Sequence, residues 1–319
     1  MNEMLTLASK AVRHPHKVPP YVLENHLGIE FSAFGSQAIQ NWIAKSYYRR
    51  VSEVEVGKPI WDKDWDLLII LDSCRPEWLS EGVRDRDYAG DVATVPSVGS
   101  HSEEWIEKTF TEDYYGEIEE TIYITGNHFA HKSPQNWFKE FENVNGLGWV
   151  EESAVPPAHV VTDRAVEIAR SVDWERCIVH YMQPHLPIFE SDGHREEAEV
   201  DQKWQPHTKN WKWCIDGETN KEELERAFMS NLNYVLDEVD LLVENVEAPT
   251  AVITSDHGQA LGENYLWSHR KGVKHPSMRN VPWLECSATD EETLDPGTYD
   301  GIEYTEDTRN ERLKQLGYL

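Results

Sequence analysis

Short apolar runs and helical stripes alternate along this chain from residue 61 onward. Asp66-Leu-Leu-Ile-Ile-Leu71 is an apolar run of strand length, and Thr121-Ile-Tyr-Ile-Thr125 and Cys177-Ile-Val-His-Tyr-Met182 are two more. Further strands are expected at about 92–96, at 250–255 and at 281–285. Between them lie segments with a helical period, at 102–111 and 160–172. The clearest runs from Lys221 to about Val246, where Leu224, Phe228, Leu232, Val235, Leu236, Val239 and Leu242 line one core-facing side. This alternation predicts an α/β protein with a mostly parallel sheet between helical layers.

The first 60 residues follow a different pattern. His14-Pro-His-Lys-Val-Pro-Pro20 breaks any regular element, and Ser36 to Arg50 has a helical face of Ile39, Trp42, Ile43 and Tyr47. The expected organisation is a helical N-terminal extension at 1–60, a catalytic domain at 61–290, and a tail at 291–319 ending in a short helix. Residues 190–220 are charged and carry Trp204, Trp211 and Trp213 without a period. Tryptophans in so polar a stretch fit either a lid or substrate-facing insertion or a loop packed on the sheet edge.

Charge narrows the function classes. Of 319 residues, 58 are acidic and 30 basic, a formal net charge of −28. Such a surface repels phosphate backbones and anionic lipid, so nucleic acid is not an expected partner. An excess this large also fits a chain from a halophile, where salt screens self-repulsion. The four cysteines show no CxxC spacing, which argues against a zinc knuckle. No basic-then-apolar leader stands at the start, and no run reaches about 18 apolar residues, so neither a signal peptide nor a membrane span is expected. The expected location is the cytoplasm.

The residues suited to chemistry stand at strand ends. Asp256-His257-Gly258 follows the 250–255 run, offering a metal a carboxylate oxygen beside an imidazole nitrogen. Asp72 ends the 66–71 run in the same way, and two strand-end aspartates in one sheet can converge on one cation. A lone strand-end Asp is as readily a helix cap; the pair favours the metal. Ser97, in Val95-Pro-Ser-Val-Gly-Ser-His101, lies in a turn between a strand and a helix. A nucleophile there would sit near free N–H groups and the positive end of the helix dipole. Ser100 and Ser102 read as caps of that helix, and Thr94 is a rival nucleophile in another register.

His185, just past a strand and flanked by Pro184 and Pro187, is placed to bind an oxyanion or protonate a leaving group. His180, in mid-strand, reads as a core or supporting residue. His269 is a candidate ligand or acid, and Arg270 and Lys274 are candidates to hold a doubly charged group. Asn127 and His128 follow the 121–125 strand and are expected to face the site. No glycine-rich nucleotide motif of the GxGxxG or GxxxxGK[ST] type occurs.

In this order the motifs resemble the alkaline phosphatase superfamily, and within it the sulfatase-like branch. Leu71-Asp-Ser-Cys-Arg75 is similar to that branch's first metal-ligand strand, and Ser97-Val-Gly-Ser-His101 to its nucleophile motif. His180-Tyr-Met-Gln-Pro-His185 is similar to its Asp-Pro-His element, and Thr254-Ser-Asp-His-Gly-Gln-Ala-Leu-Gly-Glu263 to its second metal-ligand motif. The resemblance spans roughly residues 61–319. It implies an alkaline-phosphatase-like three-layer α/β/α sandwich. It implies Asp72, Asp256, His257 and Ser97 as ligands of one divalent cation (Mn, Mg, Zn or Ca). Ser97 would be the nucleophile, with His185 and His269 as catalytic histidines.

Three departures refine this. Gly99 and His101 do not fit the maturation motif by which sulfatases make formylglycine, and Cys74-Arg-Pro-Glu-Trp78 only mimics its start. Gln183 stands where an aspartate is usual, which argues against a full second metal site. An unmodified serine favours phosphate over sulfate esters. The expectation is a metal-dependent hydrolase or transferase of phosphate or sulfate esters, acting on a small-molecule or glycan ester through a covalent Ser97 intermediate. A sulfatase and a non-catalytic relative that binds anionic glycans are the alternatives.

Overall fold

Six strands of one sheet run the same way and a seventh runs against them. They are β1 (Leu67–Asp72), β2 (Ala93–Pro96), β3 (Thr121–Thr125), β4 (Glu140–Asn143), β5 (Arg176–Pro184), β6 (Ala248–Thr254) and β7 (Asn280–Ala288). Their order is β2-β7-β6-β1-β5-β3-β4. β7 pairs antiparallel with β2 and β6, and all other neighbours pair parallel. The structure, a computed structural model, describes residues 37–51, 54–55, 57–148, 154–190, 195, 199–201 and 220–316. The breaker cluster at 14–20, the three tryptophans of the 190–220 stretch and the last three residues lie outside the described residues.

Helices cover both faces of the sheet. Those of seven residues or more among the described residues are α1 (Gln37–Tyr48), α2 (Pro76–Gly82), α3 (Ser102–Thr109), α4 (Ala158–Ser171), α5 (Lys221–Val243) and α6 (Glu306–Gln315). Every residue of β1 is buried, as a parallel strand between two helical layers must be. The two-residue period divides its side chains. Leu67, Ile69 and Leu71 pack with Trp78 and Leu79 of α2, Val161 and Ala165 of α4, and Leu232 and Val239 of α5. Leu68 and Ile70 pack on the other side with Trp105 and Ile106 of α3, Trp61, Trp65 and Leu313 of α6. The result is the three-layer α/β/α architecture expected from the sequence.

The expected strands and helices are present within a few residues. β4 was not legible, because Glu140-Phe-Glu-Asn143 is a half-exposed, polar edge. The C-terminal helix starts earlier than its pattern indicates, at Glu306, because the Thr305 side chain accepts from the Thr308 N–H. α1 packs Ala44, Tyr47 and Tyr48 against Ala260, Leu266, Val273 and Met278. The Asn41 side chain accepts from the Trp267 N–H at 3.2 Å, and the Lys274 N–H donates to the Tyr48 carbonyl at 2.9 Å. This helix of the N-terminal extension therefore braces the loops that follow β6. Among the described residues no helix is long and apolar enough to cross a membrane.

Candidate active site

Three strands and the start of one helix converge at a single edge of the sheet. β1 ends in Asp72, β5 carries His180, β6 leads into Ser255-Asp256-His257, and α3 begins at Ser102. All five chemical side chains, Asp72, Ser102, His180, Asp256 and His257, are no more than 1% exposed. This is the carboxyl edge of the parallel strands, where open α/β sheets place their ligands.

The turn after β1 is held by the segment after β6. Ser73 has a left-handed φ of 64°, uncommon without glycine. There its N–H donates to Asp256 Oδ1 at 3.2 Å, and the Cys74 N–H donates to Ser255 Oγ at 3.0 Å. The His257 N–H also donates to Asp256 Oδ1, at 2.8 Å. That oxygen is thereby fixed, and Oδ2 is turned toward the other ligands.

One oxygen from each aspartate and one ring nitrogen of His180 lie within 4.8 Å of one another. His257 Nε2 is 3.6 Å from Asp72 Oδ1 and 3.5 Å from Asp256 Oδ2. Asp256 Oδ2 and His180 Nε2 stand 3.9 Å apart, both buried without a hydrogen-bond partner among the described residues. Each such orphan costs about 1–3 kcal/mol unless something fills the gap. Burial, and next the Asp256 charge, push the Asp72 carboxyl well above its usual range. At Asp256 burial acts in the same sense, but His257 and His180 outweigh it and hold that carboxyl low. Two carboxylates and two imidazoles aimed at one point are a donor set for a divalent cation of the Zn or Mn type. A cation there would partner the orphaned atoms and relieve the carboxylate repulsion.

Four histidines form a wall beside this cluster. The His257 and His269 ring centroids are 4.5 Å apart, His185 and His269 5.1 Å, and His101 and His269 5.3 Å. Burial first, and then neighbouring imidazoles, lower His101 to about 3. Burial lowers His185 to about 4 and takes His269 well below its usual value. His101, His185 and His269 are therefore neutral at pH 7. In His257, His185 and His269 the Nδ1–H donates to the Gly258 carbonyl (2.9 Å), the Leu186 carbonyl (2.7 Å) and Gln259 Oε1 (2.8 Å) respectively. That leaves Nε2 as the lone-pair nitrogen in each.

The serines are arranged differently from the expectation. Ser97 Oγ donates to the Asp256 carbonyl at 2.5 Å and accepts from the Gly99 N–H at 3.1 Å. It makes no hydrogen bond to Asp72 or His257 and instead lines a separate cavity of about 270 Å³ with Lys58, Lys63 and Trp283. Ser102 is the serine at the cluster. Its hydroxyl donates to Asp72 Oδ2 at 3.0 Å and lies 3.3 Å from His257 Nε2. It is not the helix cap: His101 is, accepting from the Glu103 N–H through Nδ1 at 3.1 Å. Gly99 lets α3 approach this closely, since a Cβ there would lie 2.7 Å from the Trp105 nitrogen.

Asn127 reaches the site as expected, its Nδ2 donating to Asp72 Oδ2 at 2.9 Å. His128 does not. Its ring nitrogens are engaged by the Ala154 carbonyl at 2.6 Å and the Tyr304 hydroxyl at 2.5 Å, so it ties the C-terminal tail to the domain. Arg270 is exposed and lines a pocket next to His101, whereas Lys274 is not among that pocket's lining residues. Cys74 is fully buried, and burial raises its thiol far out of the reactive range. The Thr94 position is exposed on β2.

Two residues carry more of the site than sequence reasoning gave them. His180 was legible in principle: it shares the parity of Ile178 on β5 and pairs in register with Ile70, two residues before Asp72. Strand parity alone puts it on the Asp72 face. Ser102 carried no such signal, because its place depends on how residues 97–101 turn.

No family model matches this sequence, and no curated protein matches it. Solved structures that are similar include the integral membrane protein lipooligosaccharide phosphoethanolamine transferase A from Neisseria meningitidis, at 14% identity and TM-score 0.47. The match covers 77% of this chain and 51% of that one, so this chain spans about half the length of that membrane protein. A 2-O GAG sulfatase is similar at 16% identity and TM-score 0.43, covering 72% of this chain and 66% of that one. Streptococcus pyogenes phosphoglycerol transferase GacH is similar at 13% identity and TM-score 0.39, covering 81% and 75%. These solved structures are thus two transferases, of phosphoethanolamine and of phosphoglycerol, and a sulfatase.

Proposed function

We propose that this chain is a metal-dependent transferase or hydrolase of phosphate esters, with Ser102 rather than Ser97 as its nucleophile. The observation that carries this is the Ser102 hydroxyl, buried at the first position of α3 and set between Asp72 and His257. The sequence motifs set out above support the same chemistry. Asp72, Asp256, His257 and His180 would hold the cation. When bound, it would lower the serine pKa and neutralise charge on the transferred group.

The chain's own residues account for the rest. Asp72 Oδ2 accepts the Ser102 proton and aims the oxygen. The bond from Ser102 Oγ to phosphorus forms as the bond to the leaving oxygen breaks. The helix dipole of α3 favours the charge that develops there. With Nε2 as a lone-pair nitrogen, His269 and His185 accept protons and do not donate them. They bind a protonated ester oxygen or take the proton of the water or alcohol that resolves the phosphoserine. Asn127 keeps Asp72 in register.

The test uses aryl phosphate mono- and diesters and an aryl sulfate with Mn, Zn, Mg and Ca. Ser102→Ala is expected to lose about 10³-fold or more in kcat/KM on the best phosphate ester, as nucleophile removal does. Ser97→Ala is expected to stay within about tenfold of wild type, since its hydroxyl serves the Asp256 carbonyl. The opposite pattern would restore Ser97 as nucleophile. Turnover of the sulfate alone would make the chain a sulfatase.

A further inference from the structure

The chain carries 58 acidic residues, yet one pocket is walled by cations. It has a volume of about 390 Å³ and opens beside His101, whose ring centroid is 6.2 Å from that of His257. Arg49, Lys132, Arg270, Lys271 and Arg309 line it. Some of these charges are answered locally. Lys132 and Lys271 share Glu103, each at 3.4 Å, Lys271 also meets Glu107 at 2.6 Å, and Arg309 meets Glu306 at 3.4 Å.

Two of the lining cations, Arg49 and Arg270, are not answered, nor is Lys45 beside them. Arg49 lies one turn after Lys45, and Arg270 comes to both from the loop that α1 braces. None of the three has a carboxylate partner among the described residues. Like charges at i, i+4 are unfavourable by themselves, and a third beside them adds to the repulsion. Burial, then Arg270 and Arg49, lower the Lys45 ammonium to about 7. With carboxylates nearly twice as numerous as cations, an unneutralised triad is a feature that an anion would stabilise.

We propose that Arg49 and Arg270 bind a second phosphoryl-type anion of the substrate, beside the ester that reacts at Ser102. This names the substrate class for the reaction proposed above and rests on it. The substrate would be a phosphate ester with another phosphoryl group a short distance away, of the bisphosphate or diphosphate type. Two guanidinium forks match the oxygens of such a group. The location, next to His101 and on the open side of the histidine wall, sets the anion outside the reacting centre and beyond its buried ligands. Arg49, just after α1, joins Arg270 in this pocket.

Binding of inorganic phosphate to the full chain in EDTA at low salt tests the site apart from the chemistry. Without metal, the Asp72–Asp256 pair repels anions, so saturable binding reports the basic pocket. Calorimetry is expected to show binding that Arg49→Gln and Arg270→Gln each weaken about tenfold or more. Lys139→Gln, at a remote ion pair with Glu120, is expected to leave it unchanged. Circular dichroism confirms that each variant is folded. Wild-type affinity in both pocket variants, or no saturable binding in the wild type, would overturn the proposal.

A second arm compares kcat/KM for an aryl phosphate with and without a second phosphate, and for phosphate presented on anionic phospholipid vesicles. Arg49→Gln is expected to remove the advantage of the doubly charged ester while sparing the singly charged one. Advantage confined to vesicles would place the second anion on a lipid headgroup, and advantage in solution would place it on a soluble ester. An equal advantage in Arg49→Gln and wild type would overturn the assignment. Loss of turnover in Ser102→Ala is read separately, so a failed nucleophile and a failed anion pocket give different results.

Discussion

Acid is expected to unfold this protein through its histidines. His101 and His128 are held at about 3, and His180 and His185 at about 4, in each case first by burial. An unfolded histidine titrates near about 6.5. Between those values the unfolded chain binds protons that the folded chain refuses. Stability is therefore complete above about pH 6.5 and falls as pH drops toward 4, by about 1.4 kcal/mol per pH unit for each ring. At pH 5 each of the four costs about 2 kcal/mol, and together they cost about 8 kcal/mol. A whole domain has about 5–15 kcal/mol to lose. Asp72 works in the opposite direction: its raised carboxyl holds a proton in the folded state at a pH where an unfolded carboxyl has lost it, which offsets some of this loss.

The assay is guanidinium unfolding in EDTA at pH 7.5, 6.5, 5.5 and 5, followed by tryptophan fluorescence. With His159 and His275 lowered to about 4 and His269 lowered further, the slope of stability against pH near 5.5 is expected to correspond to an uptake of about five protons or more on unfolding. His128→Gln is expected to reduce that slope by about one proton, whatever it does to stability at pH 7.5. Midpoints that coincide at pH 7.5 and pH 5 would refute the reasoning, because buried neutral rings cannot be indifferent to acid.

Other perturbations follow from particular contacts. Asp72→Asn is expected to leave the EDTA-treated protein at least as stable as wild type, since it removes a like-charge neighbour of Asp256, and to abolish the rise in Tm on adding Zn or Mn. Asn231 Nδ2 donates to the carbonyls of Pro184, His185 and Pro187, and its Oδ1 accepts from the Phe189 N–H at 3.0 Å. Asn231→Ala strands these buried groups and is expected to cost about 3 kcal/mol or more, with a loss of kcat as His185 loosens; denaturant melts and steady-state kinetics read the two effects. The net charge of −28 predicts that Tm rises by several degrees as the screening length falls from about 10 Å at 0.1 M to about 3 Å at 1 M salt. A flat Tm across that range would remove the argument for a halophilic chain.

The fold was legible because both sides of the sheet are covered. Covered parallel strands must be apolar throughout, and Leu67 to Leu71 advertises this in sequence. β4 escaped because an edge strand has one half-exposed face and few apolar residues to show. The aspartates and His257 were legible for the same reason as the strands that carry them: a polar residue directly after a buried run marks the carboxyl edge of a parallel sheet.

The serine was not legible, and the physical reason is specific. Ser97, Ser100 and Ser102 lie within six residues, and any of them can be carried to a helix start by a turn of suitable shape. The choice is made by contacts distant in sequence. The Ser97 N–H donates to the Arg279 carbonyl at 2.6 Å, which fixes residue 97 at the end of β2 beside β7. Glu104 accepts from the Ser100 hydroxyl and from Gly272 N–H, which binds residue 100 to the Arg270 loop. His101 then caps α3, and Ser102 is the hydroxyl left facing Asp72. The loop that selects the nucleophile is thus the loop that carries Arg270, and α1 braces it. Residues 37–49 pack, through that brace, on the loop beside the site, although the sequence pattern separates them from it.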